Sequence, residues 1–133
     1  FKSALTEKCN RDSGAGLTGD YNHDLITYGN VHWATSNSSG TWTYNLRGSA
    51  TVALNDMMDD GETLSFQLIS AQNSTSNYMT AFKIDGSSSH LVWWQGGSAP
   101  SAGGGSGYDV YTFTVFKIGN ASFRTFASLS NHA

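Results

Sequence analysis

The densest group of potentially reactive side chains is a run of four carboxylates: Asp56, Asp59, Asp60 and Glu62. Carboxylate oxygens bind Ca²⁺, and two carboxylates that flank a sugar linkage can act as the acid and base of a glycosidase. Their spacing is not that of a Ca²⁺-binding helix-loop-helix, and no pattern predicts the separation of about 5–9 Å that a glycosidase requires. We therefore expect a solvated turn with no metal ion and no catalytic role.

A second candidate is the glycine-rich segment before a predicted strand. Ser106 follows two glycines, but the segment lacks the second glycine of a hydrolase nucleophile elbow and does not join a strand to a helix. No helix N-terminus or lysine follows Gly103 to Gly105 to complete a phosphate-binding loop. The segment is predicted to be a mobile surface loop, and removal of residues 101–106 should spare folding.

Histidine and cysteine show no metal-binding pattern. The single cysteine, Cys9, cannot form an intrachain disulfide and is expected to be a buried thiol. The histidines have no pair at metal-ligand spacing, so each is expected to be satisfied in the core or exposed: His23, His32, His90 and His132. With the carboxylates and the loop serine, this pattern favours a protein that is not an enzyme and has no cofactor.

The composition narrows the class of protein. The chain of 133 residues is long enough for one domain with its own core, and only 13% of its residues are charged, against roughly 25% in an average domain. A net charge of −3 without a basic cluster argues against nucleic-acid binding, and no apolar run approaches the ~18 residues of a membrane span. We predict an N-terminal linker at 1–16, leading from a longer parent chain, and a single domain at 17–133.

Aromatic side chains are the remaining candidates for contact with a partner. Trp93 and Trp94 are adjacent in a predicted strand, so their rings must point to opposite faces. One ring is expected in the core, and for the other a subunit contact, a second core layer and a ligand platform all stay open. We take Trp93, Trp94, Gln95 and Tyr108 as the candidate ligand or subunit contacts.

Period-two alternation predicts the strands that position these rings. Trp42, Tyr44 and Leu46 fall on one face of a half-buried strand. Apolar residues occupy both faces of 108–118, which predicts a strand in the middle of a sheet. The predicted strands are 26–34, 41–46, 49–53, 63–69, 78–84, 91–95, 108–118 and 122–129.

Turn residues predict how some of these strands connect. Asp85-Gly86 is expected to join 78–84 to 91–95 in a hairpin. Gly119-Asn120, which tolerate positive φ, are expected to close a C-terminal hairpin.

The predicted elements add up to an all-β fold. Asn55 and Gly61 are expected to cap and to stop one helical turn. Seven or eight strands with at most one short helix favour an antiparallel β-sandwich of jelly-roll-like type. The lack of a fixed internal period argues against propellers and solenoids.

One part of the chain carries a specific resemblance. Trp94-Gln95-Gly96-Gly97-Ser98-Ala99-Pro100, followed by Tyr108-Asp109-Val110-Tyr111-Thr112-Phe113, resembles the C-terminal domain of tail-fibre-like virion structural proteins of marine tailed phages, cyanophages especially. Looser similarity extends over nearly the whole chain, at Phe1–Lys8, Gly29–Trp33, Asn45–Arg47 and Met57–Glu62.

The resemblance implies a non-enzymatic β-domain located in the virion. Such a domain assembles with copies of itself, as a homotrimer if it ends a fibre, and with other virion proteins, in tail-fibre or capsid-decoration roles. A host surface glycan, if one is bound, would be expected at Trp94, Gln95 and the loop 96–107.

Two other functions stay open. A free carbohydrate-binding, lectin-like module would be a monomer with an exposed tryptophan. A small glycosidase would bring two carboxylates together in a cleft. A virion structural protein would instead be a stable oligomer with aromatic rings buried between subunits.

Overall fold

The computed structural model describes residues 6–133, which form two β-sheets packed against each other. The predicted all-β, sandwich-like fold is confirmed. In chain order the strands are β1 (Cys9–Asp12), β2 (Gly19–Asp24), β3 (Val31–Ala34), β4 (Thr41–Arg47), β5 (Thr63–Ala71), β6 (Tyr78–Ile84), β7 (Leu91–Trp94), β8 (Tyr108–Gly119) and β9 (Ser122–His132). Sheet A has the order β1-β3-β5-β8-β9-β7, and sheet B has the order β2-β4-β6.

Over its first six strands the chain winds as a coil between the two sheets. β1, β3 and β5 pair in parallel in sheet A, and β2, β4 and β6 pair in parallel in sheet B. Successive turns differ in length, since Cys9 pairs with Val31, 22 residues on, and Val31 pairs with Gln67, 36 residues on. The expectation that the chain is not a solenoid is therefore wrong for residues 9–84, because unequal turns leave no fixed period to detect.

The last three strands complete sheet A. β8 is antiparallel to both β5 and β9, and the β8–β9 hairpin lies between β5 and β7. The predicted C-terminal hairpin is thus confirmed. β7 pairs in parallel with β9, so the predicted hairpin of 78–84 with 91–95 is wrong. Five of the seven strand pairings among the described residues are parallel, so antiparallel pairing is not the general rule of the sandwich.

The core fills the space between the sheets. Trp42, Tyr44 and Leu46 on β4 are buried, as their alternation predicts. The rings of Phe82 on β6 and Phe113 on β8 stack across the core with centroids 4.0 Å apart. β8 has its inward residues buried and lies between β5 and β9, which confirms its predicted place in the middle of a sheet.

Two predicted strands differ from the structure. Only the end of 26–34 is extended, as β3, because the residues before it form a one-turn helix, α1 (Leu25–Tyr28). The strand predicted at 49–53 is wrong. The Ser49 hydroxyl accepts hydrogen bonds from the N–H groups of Thr51 and Val52 and so bends this segment into a loop.

A second one-turn helix, α2 (Leu54–Met57), forms where a helical turn was expected, and a 3₁₀ turn follows β7 at Gln95–Gly97. Asn55 lies inside α2, so it does not cap the helix. The carboxylate of Asp85 accepts the N–H groups of Leu54 and Asn55 at 2.6 and 3.0 Å instead. With α1, α2 and the 3₁₀ turn, the structure has more helix than the single short helix that the sequence predicts.

Asn55 contributes to the C-terminal hairpin. Its side-chain carbonyl accepts the N–H of Ala121 at 2.7 Å. Ala121 has a φ of 49°, and neither Gly119 nor Asn120 has a positive φ. The turn thus forms at the expected place, but its left-handed residue is an alanine supported by a contact from outside the hairpin.

The N-terminal segment contributes to the sheet. Part of the predicted linker 1–16 is β1, which pairs with β3 from Cys9 to Asp12. Cys9 is exposed, so the expectation of a buried thiol is wrong. Phe1–Leu5, which carry part of the predicted linker, lie outside the described residues. No helix within residues 6–133 is long and apolar enough to cross a membrane.

Candidate interaction surfaces

The two adjacent tryptophans point to opposite faces of sheet A, as strand geometry requires. Trp93 faces outward and is 47% exposed. Trp94 points inward and packs edge-on against Phe113 and Tyr111, with ring centroids 6.1 and 6.5 Å away. Trp93, and not Trp94, is therefore the ring that can meet a partner.

Trp93 belongs to a cluster of exposed apolar side chains on the outer face of sheet A. Its ring stacks on that of Phe126 at 5.3 Å, and Phe126 meets Phe116 edge-on at 6.0 Å. We call this cluster the outer patch, and it consists of Leu91, Trp93, Phe116, Ile118 and Phe126. These side chains are 37–54% exposed, which leaves about 500 Å² of apolar surface if each has roughly 150–250 Å².

A patch of this size is at the upper part of the range for monomers, where such patches often have a function. Of these five residues, only Trp93 is among the contacts that the sequence predicts. Alternation along β8 and β9 could have predicted that Phe116 and Phe126 are exposed, because both lie on the face opposite the buried residues of their strands. Register then brings Phe126 beside Trp93, which no local pattern in the sequence indicates.

Trp94 and Gln95 line a different surface. A shallow pocket of about 480 Å³ lies between them, Pro100 and Leu129. The predicted proximity of Trp94, Gln95 and the following loop is therefore present.

Tyr108 is remote from the other candidate residues. It lies six positions along β8 from Thr114, which pairs with Phe126, and six strand residues span about 20 Å. Its ring packs against Trp33 with centroids 6.5 Å apart. The four predicted contact residues thus fall on three surfaces and not in one site.

The glycine-rich loop is anchored to the body of the domain. The N–H of Gly104 donates to both carboxylate oxygens of Asp109 at 3.1 Å, and the N–H of Gly103 donates to the carbonyl of Thr75 at 2.9 Å. A Cβ on Gly104 would lie 2.0 Å from the side-chain nitrogen of Asn131. The prediction of a detached, mobile loop is wrong, because its glycines permit close backbone contact.

Asp109 is the centre of a buried polar network. Its carboxylate is fully buried and also accepts hydrogen bonds from the amides of Gln72 and Asn131, at 2.6 and 3.0 Å. Gln72 in turn accepts the hydroxyl of Ser38 at 2.9 Å. Such a network fixes the loop because a buried carboxylate without donors is costly.

Two of the histidines are brought together between the sheets. His23 and His32 are fully buried, with ring centroids 5.5 Å apart. His32 contacts Asp12 through Nε2 at 3.0 Å and the Tyr44 hydroxyl through Nδ1 at 2.7 Å. His23 donates from Nε2 to the Gly29 carbonyl at 2.7 Å. The expectation of separate histidines missed this cluster, which arises where two sheets with parallel pairings of residues 22 and 23 positions apart pack together.

Burial sets the protonation of this cluster. It lowers the pKa of His23 to about 4, and it lowers the pKa of His32 although the hydrogen bond with Asp12 opposes the shift. Burial also raises the pKa of Tyr21, which stacks on His32, to about 12. Near neutral pH these rings are uncharged. Because His32 and Tyr44 are also closed to solvent, the arrangement serves packing and not contact with a substrate.

The acidic run forms an exposed turn, as expected. Its carboxylates Asp56, Asp59, Asp60 and Glu62 all face solvent. Glu62 accepts the N–H of Asp59 at 2.6 Å. Lys117 holds the preceding helical turn in place, because its ammonium group donates hydrogen bonds to the carbonyls of Asn55 and Met58 at 2.6 and 2.7 Å.

No family model and no curated protein sequence matches this chain, and its fold matches no solved structure. What the domain does must therefore be inferred from its own surfaces.

Proposed function

We propose that this domain is a structural component of a phage virion, of the tail-fibre or decoration type, and that it assembles with copies of itself through the outer patch. The observation that carries the proposal is the stacked pair of Trp93 and Phe126 on an uncovered sheet face. Apolar side chains left in water cost hydration free energy, and burial between subunits removes that cost.

The makeup of the patch favours a protein partner over a sugar. Leu91 and Ile118, about half exposed, flank the aromatic rings. Aliphatic side chains pack well in protein interfaces but offer no flat face to a sugar ring. The apolar area of about 500 Å² is more than half of the ~800 Å² that each partner contributes to a standard interface. Neighbouring polar residues would contribute the rest.

The surroundings of the patch also suit a symmetric interface. Thr112 and Ser128, which are hydrogen-bonded to each other, and Thr114 continue the outer face of sheet A. Arg124 is the charged residue whose register places it between Leu91 and Phe116. Copies of this face arranged around a threefold axis would therefore bring few like charges together. A homotrimer within the virion, in contact with other virion proteins, is the assembly we propose.

A free carbohydrate-binding module is the second candidate. The exposed ring of Trp93 supports it, since an accessible indole can stack on the apolar face of a sugar. In that case the domain would be a monomer at all accessible concentrations, and substitution of Trp93 would remove sugar binding without changing the mass.

The mass in solution tests the proposal. Light scattering after size exclusion should give three times the chain mass of 14.2 kDa. Trp93→Ser and Phe126→Ser should give folded monomers. Ile26→Ser is the matched control, because Ile26 is as exposed as Phe126, at 54%, but lies outside the outer patch. A wild-type monomer at every concentration, or equal dissociation by the control, would contradict assembly through the outer patch.

A further inference from the structure

The outer face of sheet B is as polar as the outer patch is apolar. Each outward residue of β2 accepts a hydrogen bond from its neighbour on β4. The pairs are Thr43 to Asp20 at 2.5 Å, Asn45 to Asn22 at 3.0 Å and Arg47 to Asp24 at 2.6 Å. These side chains are thus held in fixed positions along the sheet before any ligand arrives, which lowers the entropy cost of binding.

A groove of about 490 Å³ runs over this face, between the strands and the loop 49–53. Its floor is polar, and its wall mixes small apolar side chains with the hydroxyl groups of Ser49 and Thr51. The floor consists of Asn22, Asn45 and Arg47, and the wall includes Ala50, Val52 and Ala53. A smaller extension of about 230 Å³ continues past the two asparagines to Asp20 and Lys83.

Several donors in the groove have no partner among residues 6–133. Both ends of the Asn45 amide are engaged, because its nitrogen donates to Asn22 and its carbonyl accepts the N–H of Gly86 at 2.8 Å. The amide nitrogen of Asn22 makes no hydrogen bond within the described chain. Arg47 engages Asp24 through Nε alone, which orients its guanidinium and leaves both terminal nitrogens to bind a ligand.

The chemistry of the groove selects the class of ligand. Amide and guanidinium donors beside a carboxylate acceptor match neighbouring hydroxyl groups, and the short side chains of Ala50 and Ala53 leave space for a sugar ring beside these donors. Arg47 and Lys83 are outnumbered by the carboxylates of Asp20, Asp24 and Asp85, so the groove has no excess positive charge to attract phosphate or sulfate.

From this combination we infer that the groove binds a neutral sugar unit of a glycan, with space for about one or two rings. The groove lies on the sheet opposite the outer patch, so the inference holds for a monomer and for an assembled form. It also differs from the site beside Trp94 that the sequence indicated for a glycan, because that pocket has no charged side chain in its lining.

Nuclear magnetic resonance titration of the full chain tests the site. Glucose, galactose, mannose and N-acetylglucosamine are added separately as probes. At least one of them should shift the side-chain amide signals of Asn22 and Asn45 and the backbone signals of residues 49–53. Ala50→Trp should fill the groove and weaken binding by about tenfold or more. Ala99→Trp is the matched control, since it adds the same bulk at an exposed alanine in the pocket beside Trp94.

A second variant tests the donor itself. Asn22→Asp keeps the oxygen that accepts from Asn45 but removes the unpartnered NH₂ group, so it should weaken binding with little effect on folding. Loss of binding in Ala50→Trp and Asn22→Asp, with binding kept in Ala99→Trp, supports the groove. The inference is overturned if none of the four sugars produces a shift. It is equally overturned if Ala99→Trp loses binding while Ala50→Trp and Asn22→Asp keep it.

Discussion

The hydroxyl of Tyr44 lies 2.7 Å from Nδ1 of His32 in the space between the two sheets. Nε2 of the same ring lies 3.0 Å from Asp12, whose carboxylate can only accept, so Nε2 carries the proton and Nδ1 accepts from Tyr44. A single neutral imidazole thus links sheet B to the edge strand β1 of sheet A. This link exists because parallel register places a buried histidine next to a partly exposed aspartate.

The histidine cluster predicts that the domain loses stability at mildly acidic pH. The pKa of His23 is lowered by burial from its ordinary 6.5 to about 4. The unfolded chain therefore takes up this proton below about pH 6.5, while the folded chain resists it until about pH 4. Stability should be complete above pH 6.5 and fall as the pH drops towards 4, by about 3 kcal/mol from this residue.

Urea unfolding measured across this pH range checks the effect. In His23→Gln the fall in unfolding free energy between pH 6.5 and 4 should be smaller, because one depressed titration is gone, while the buried His32 still acts in the same direction. His132→Gln, which changes an exposed histidine, is the control and should keep the wild-type profile. An unchanged profile in His23→Gln would show that His23 is not the group responsible.

The anchored loop makes a second prediction, at Gly104. A methyl group there would lie 2.0 Å from the Asn131 side-chain nitrogen and 2.7 Å from the Asp109 carboxylate. Gly104→Ala should therefore displace the loop from a buried charge and cost about 2–3 kcal/mol of unfolding free energy. For the same reason, removal of residues 101–106 should destabilise the fold instead of sparing it.

Gly105→Ala is the matched control for this change. Its Cβ would meet no atom closer than 3.9 Å, and its φ is not positive, so stability should stay within about 0.5 kcal/mol of the wild type. Thermal unfolding of the two variants side by side decides the matter. Equal stability of the two alanine variants would mean that the loop does yield at Gly104, as the composition alone suggested.

The sequence predicts most strand positions, although it misses β1 and β2. It does not predict how the strands pair. Trp42, Tyr44 and Leu46 reveal a buried face by alternation, which depends on neighbours in the chain. Asp85-Gly86 does make a tight turn, with Ile84 bridged to Ser87. The chain then crosses to the other sheet, and no local residue records that choice. Parallel pairing depends on long crossovers, and those carry little sequence signal.

The glycine-rich loop is a second case in which a local property of the sequence predicts the wrong structure. Its composition is typical of a flexible linker, yet it is fixed by Asp109. A clue was present in the sequence, because Asp109 falls on the inward side of β8 with Tyr111 and Phe113. A carboxylate at a core position requires donors nearby, and the backbone of a close glycine loop can supply them. The composition of the loop thus predicted a flexible segment, whereas the buried position of Asp109 on β8 indicated a fixed one.

Asp85 provides the third prediction, because it combines two roles. Its carboxylate accepts the first N–H groups of α2, and its own φ is 51°, which favours Gly, Asn or Asp. Asp85→Asn keeps one acceptor and tolerates the backbone, so it should lose less than 1 kcal/mol, on the order of one weak hydrogen bond. Asp85→Gly removes only the cap and should lose about 1 kcal/mol. Asp85→Ala adds left-handed strain and should lose about 2 kcal/mol or more.

Chemical unfolding of the three variants measures these costs. A stability that decreases in the order Asn, Gly, Ala would establish both roles of Asp85. If Gly equals the wild type while Ala does not, the residue serves only the turn, and α2 is held by packing alone.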